Sequence, residues 1–137
     1  MANRFFNQFR KCLEKEQVNL FAHVSFGAAG APTLDNANSK GIKSISRVSA
    51  GKYTIVFGLS ASSTFATNID TYVKLLGLNH KFLNSSAPAA PLSYIVTNSV
   101  TSGSVVVQFT DSAGVATDPA SGEQVYLEIA VGNSSAI

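Results

Sequence analysis

Apolar and polar residues alternate along most of this chain, and the period departs from two in only a few places. Over residues 18–26, Val18, Leu20, Ala22, Val24 and Phe26 fall on one side and Asn19, Phe21, His23 and Ser25 on the other. That pattern predicts a strand with one buried face. Residues 42–48 and 53–59 predict two more strands, joined by Ser49-Ala50-Gly51. A three-residue hairpin loop with Gly51 in the left-handed region fits this junction. Three further strands are predicted over 92–98, over 104–110 around Val105-Val106-Val107, and over 124–131, where Val125, Leu127, Ile129 and Val131 alternate with Tyr126, Glu128 and Ala130. Turns are marked by Thr101-Ser102-Gly103, Ser112-Ala113-Gly114 and Asp118-Pro119-Ala120-Ser121-Gly122. Residues 27–39 carry Gly, Pro, Asp and Asn without a period and read as a loop; residues 84–91 read as a linker or long turn. Short strands at regular turn spacing argue for a mainly β fold, an antiparallel sandwich or barrel-like domain.

Two stretches break the alternation. Over residues 3–17, Phe5, Phe9 and Cys12/Leu13 recur at helical spacing, with Phe6 beside them and Arg10, Lys11, Glu14 and Lys15 on the other side. This predicts an N-terminal amphipathic helical arm over 1–17, capped by Asn3 and followed by a single β-rich domain over 18–137. Over residues 60–83, Tyr72, Val73, Leu75, Leu76, Leu78 and Phe82 are too dense for a loop and predict a short helix around 68–76. The arm is the best candidate for partner binding. Phe5, Phe6, Phe9 and Leu13, with Arg10 from the polar side, are the candidate contacts with a partner's groove or with other copies of the arm. Folding back over a sheet edge is the alternative use of the same residues.

Composition adds one point. Charged residues make up 13% of the 137 residues, about half the usual share, while Ser, Thr and Asn supply 37. A surface wetted by hydroxyls and amides packs against neighbours at low desolvation cost. The charge is also lopsided: residues 1–83 hold all ten bases and four acids, and residues 84–137 hold four acids and no base. Such asymmetry can orient one end towards an oppositely charged partner. The first residues lack the apolar run of a signal peptide, and no window approaches the length of a membrane span. The expected site of synthesis is a cytoplasm.

The sequence spells out no reaction. Cys12 is the only cysteine, so no disulfide can form within the chain, and with His23 and His80 it makes a poor zinc set. His23 falls on the polar face of a strand; His80 reads as part of a polar turn, Asn79-His80-Lys81. No serine sits in Gly-x-Ser-x-Gly, and Gly27-Ala28-Ala29-Gly30 lacks the lysine of a phosphate loop. Arg4, Arg10, Lys11 and Lys15 interleave with phenylalanines, but Glu14 and Glu16 dilute them below the basic density that phosphate backbones draw on. The expectation is a non-enzyme with no cofactor or metal.

Ser39-Lys40-Gly41-Ile42 followed by Ser49-Ala50-Gly51-Lys52-Tyr53-Thr54-Ile55 resembles a stretch of small structural proteins of tailed-bacteriophage particles. Thr117-Asp118-Pro119-Ala120-Ser121-Gly122 and Asn133-Ser134-Ser135 are similar too. The resemblance covers about half the chain. It implies a virion protein without catalysis, most simply a capsid decoration (cement) protein bridging major capsid subunits as a homo-oligomer, with a trimer favoured. A tail, neck or fibre-base component fits the same residues. A β-sandwich receptor- or glycan-binding module is a third option, and needs an exposed aromatic platform that the tyrosines do not announce.

Overall fold

The period-two stretches fold as strands whose ends fall within two residues of the sequence reading. A computed structural model of the chain describes residues 17–58, 74–99 and 103–132. Its strands are β1 (Gln17–Phe26), β2 (Pro32–Leu34), β3 (Ile42–Ser49), β4 (Lys52–Phe57), β5 (Lys74–Phe82), β6 (Leu92–Ser99), β7 (Ser104–Thr110) and β8 (Gln124–Gly132). They form two antiparallel four-stranded sheets, ordered β2-β1-β8-β5 and β3-β4-β7-β6. The hairpins β1–β2, β3–β4 and β6–β7 stay within a sheet, whereas β2–β3, β5–β6 and β7–β8 cross between sheets.

The alternation decides which face is buried. Leu20, Ala22, Val24 and Phe26 of β1 and Val125, Leu127, Ile129 and Val131 of β8 point inward and meet Tyr53, Ile55, Phe57, Val105, Val107 and Phe109 of the other sheet. Each such side chain contributes roughly 1.5–3 kcal/mol by leaving water. Phe26, Tyr53 and Phe109 pack edge-to-face with centroids 5.3, 5.7 and 6.2 Å apart, the arrangement ring quadrupoles prefer. Phe26 lies in one sheet and the other two rings in its partner, so the cluster ties the layers together.

Several sequence expectations need correction. The predicted arm, with Phe5, Phe6, Phe9, Arg10 and Leu13, lies outside the described residues, except that Gln17 belongs to β1 and pairs with Gly132. Of the predicted helix over 68–76, residues 68–73 also lie outside them, but Lys74, Leu75 and Leu76 open strand β5. The apolar density that suggested a helix belongs to a bulged strand. The register against β8 skips Leu76, between Leu75↔Val131 and Gly77↔Ala130. One extra residue turns a spacing of two into three, so inward-facing Leu75, Leu78 and Phe82 acquire helical intervals. The supposed loop over 27–39 contains β2, which pairs Leu34 with Val24. The β3–β4 connection is Ala50-Gly51, one residue shorter than expected, because Ser49 pairs with Lys52. Gly51 does adopt positive φ, +67°.

Candidate functional site

The described polar chemistry gathers in three places, each set by strand register. The first closes one end of the sandwich. The Asp118 carboxylate, on the β7–β8 connection, takes both arms of the Arg47 guanidinium: Nε donates to Oδ1 at 3.0 Å and Nη2 to Oδ2 at 2.8 Å. The Gly51 amide also donates to Oδ1, at 2.7 Å. The Tyr53 hydroxyl lies 3.0 Å from the same oxygen and 2.8 Å from the carbonyl of Gly30, and shares its one proton between them. Gly30 gets there because the short turn Ala28–Gly30 places both Ala29 and Gly30 at positive φ. The Arg47 hydrogen bonds, joined by those from Gly51 and Tyr53, hold the Asp118 carboxyl below the usual carboxylate range against the opposing effect of burial. Burial and the neighbouring carboxylate push the Tyr53 phenol upward, so it stays protonated and donating. The cluster joins the β3–β4 hairpin, the β7–β8 connection and the β1–β2 turn.

The second place is the open side between β5 and β6. His80 points inward, opposite Leu127, rather than sitting in the polar turn the sequence implied. Its Nε2 donates to the Pro91 carbonyl at 2.9 Å, which leaves Nδ1 to accept the Ser93 hydroxyl at 2.7 Å. The ring packs edge-on against Phe82 and Phe109. A hydroxyl within hydrogen-bond reach of an imidazole nitrogen has the geometry of a nucleophile–base pair. Here it also links a strand of each sheet, bracing the open side. Beside it, residues 84–91 are tied down: the Asn84 side chain accepts from the Gln124 amide and donates to the Gly122 carbonyl, and buried Glu123 accepts from the amides of Ala89 and Ala120.

The third place is the outer face of the β2-β1-β8-β5 sheet. Phe21 and Tyr126 project outward on neighbouring strands and stack with centroids 5.9 Å apart and planes at 22°. Beside Tyr126 lies a hollow of about 200 Å³ lined by Asn79, His80, Lys81, Tyr126 and Glu128. It continues into a second of about 210 Å³ over Gly77, Leu78, Asn79, Glu128 and Ala130. The second hollow exists because the outward pair Gly77–Ala130 has almost no side chain to fill it. On the same sheet His23 Nδ1 lies 3.3 Å from Asp35, whose carboxylate also accepts from Asn38 at 2.7 Å and from the Ala37 amide at 3.0 Å. These bonds, Asn38 foremost, lower the Asp35 carboxyl below its ordinary value.

The outer face of the other sheet is different in kind. Its outward register runs through Ser44, Ser46, Thr54, Val56, Ser104 and Val106, with Lys52 the one charge on β4 and β7 among the described residues. Among the described residues no group of three His, Cys, Asp or Glu is placed to hold a metal ion, and no helix is long and apolar enough to cross a membrane.

The sequence reading missed Asp118, Ser93, Glu123 and the Phe21–Tyr126 pair. The last left a signal: two aromatic residues stand at polar-face positions of their strands. Asp118 and Ser93 left none, because their partners come from other elements of the chain, and of the two partners of Glu123 only Ala120 is local while Ala89 is not. Comparison with protein families, with curated proteins and with solved structures finds no match to this chain.

Proposed function

We propose that this chain is a structural subunit of a tailed-bacteriophage particle, a capsid decoration protein that binds and stabilises the assembled head. The observation that carries the reading beyond sequence resemblance is the outer face of the β3-β4-β7-β6 sheet, whose two central strands present Ser, Thr and Val with a single lysine and whose β6 edge adds exposed Leu92 and Tyr94. Hydroxyls and small aliphatics cost far less to dehydrate than charged groups, so such a face can lie flat on a neighbouring subunit. In this reading Phe5, Phe6, Phe9, Arg10 and Leu13 make the contacts of the arm with the major capsid protein or another virion protein. Binding the assembled shell in preference to free subunits stabilises it by mass action, and bridging several subunits adds avidity.

Quantitative mass spectrometry of purified particles tests this. About one copy per capsid subunit, or one per local threefold, is expected. A handful of copies moves the chain to the tail, neck or fibre base. Absence from the particle ends the virion reading.

A second reading is favoured by the Phe21–Tyr126 stack. A flat aromatic pair beside a hollow lined by an amide, a carboxylate and an ammonium suits a sugar ring, which offers an apolar C–H face and a rim of hydroxyls. A sugar-binding module is then expected to show amide shifts confined to β1, β5 and β8 when titrated with neutral oligosaccharides of glucose, galactose and N-acetylglucosamine. Tyr126→Ala should remove them. No shift with any of the three excludes the module.

A further inference from the structure

Each sheet has two edges, and an exposed edge invites pairing with another chain unless it is guarded. Three of the four are guarded by charge, proline or brevity. Strand β2 is three residues long and starts with Pro32. Strand β3 carries Lys43 and Arg47 and is broken by two bulges. Strand β5 carries Lys74 and Lys81 and the bulge at Leu76. Strand β6 runs for eight residues, Leu-Ser-Tyr-Ile-Val-Thr-Asn-Ser, with no charge and no proline. Its register slips only between Ile95 and Thr97, so Leu92–Ile95 is a regular stretch against β7. It is also where large apolar side chains cluster in the open: Leu92 is 50%, Tyr94 56% and Val96 42% exposed. Among the described residues no strand pairs with the other side of β6.

We propose that β6 pairs with β6 of a second copy, antiparallel about a twofold axis, joining two four-stranded sheets into one of eight strands. Charge selects this occupant. A twofold axis brings each side chain of the strand near its own equivalent or a close neighbour. Lys43 and Arg47 of β3, or Lys74 and Lys81 of β5, would then face like charge, which destabilises cross-strand pairs. Strand β6 meets itself without that cost, and Leu92 and Tyr94 of both copies come side by side in one apolar row on the outer face of the joined sheet. The result is a dimer, in place of the trimer that the phage resemblance implies. It stands independently of the virion reading, since the dimer forms whatever the particle contains.

Light scattering of the full chain across a concentration series reads the mass directly. The unmodified protein should give twice 14.4 kDa. Tyr94→Lys should return it to 14.4 kDa with an unchanged β spectrum by circular dichroism. Exchange of the amide hydrogens over 92–98 should speed up by about tenfold or more in that variant. Leu92→Lys should repeat the result and stands in if Tyr94→Lys fails to fold. A monomeric or trimeric unmodified protein overturns the proposal. So does a dimer indifferent to both substitutions. Unfolding of both variants overturns it too, because it would make these side chains core residues rather than an interface.

Discussion

Replacing Gly51 with valine should cost about 4 kcal/mol of stability, a large share of what a domain of this size has to lose. Two costs add. Gly51 sits at φ +67°, where a β-branched side chain is strained by roughly 1–3 kcal/mol. Its position is also closed on the side a Cβ would take, by the backbone carbonyl oxygens of Phe109 and Thr117 and by the side-chain Nε2 of Gln108. Backbone cannot move aside as a flexible side chain can, and Gly51 is held there by its own bond to Asp118. Gly114 is the control. It has φ +83° but open space around a Cβ, so Gly114→Ala should cost only the conformational strain, about 1 kcal/mol. Urea unfolding followed by circular dichroism separates them: the midpoint should fall by about 2 M for Gly51→Val and by well under 1 M for Gly114→Ala. Equal shifts would mean that contact around Gly51 contributes nothing.

Asp118→Ala should cost about 3 kcal/mol near neutral pH. The loss comes less from the Arg47 ion pair, which is partly exposed and worth about 1 kcal/mol or less alone, than from what the carboxylate leaves behind. The buried Gly51 amide loses its acceptor, and the Tyr53 hydroxyl keeps only Gly30. Arg47→Ala is therefore expected to be the milder change. Asp118 also gives the fold an acid limit. Its folded-state pKa lies below the ordinary 3.8, so its contribution is complete above about that pH and is lost as pH falls through the lower folded value. Thermal unfolding between about pH 5 and pH 2 should show the unmodified protein losing more stability on acidification than Asp118→Asn, which has no proton to gain. Parallel curves would show that the carboxylate is not the group that titrates.

The same cluster shows how far the sequence can be read. Thr117-Asp118-Pro119 is legible as a turn, and the Arg47 strand and the Gly51 turn are legible as a hairpin. Nothing local says that they meet. Arg47 and Asp118 are 71 positions apart, and they touch only because β3–β4 and the β7–β8 connection reach the same end of the sandwich. His80 and Ser93 are closer in sequence but lie on strands of different sheets, so local pattern cannot pair them either.

Local alternation determined most of the strands and nearly all the inward residues, because side-chain direction in a strand repeats every two residues whatever the strand packs against. The left-handed turn at Gly51 was likewise local, since only the residue's own backbone freedom is at stake. Tertiary structure decided the rest. It placed the apolar run from Leu75 to Phe82, dense enough to suggest a helix, in strand β5, where pairing with β8 absorbs the extra residue as a bulge. It stacked Phe21 on Tyr126 and left a hollow over Gly77 and Ala130, both consequences of which strands became neighbours. It also decided which strands are edges, and so left the uncharged β6 at the end of its sheet. Strand order is a choice among long-range pairings of similar local quality, and the energy that selects it comes from the assembled core rather than from any one segment.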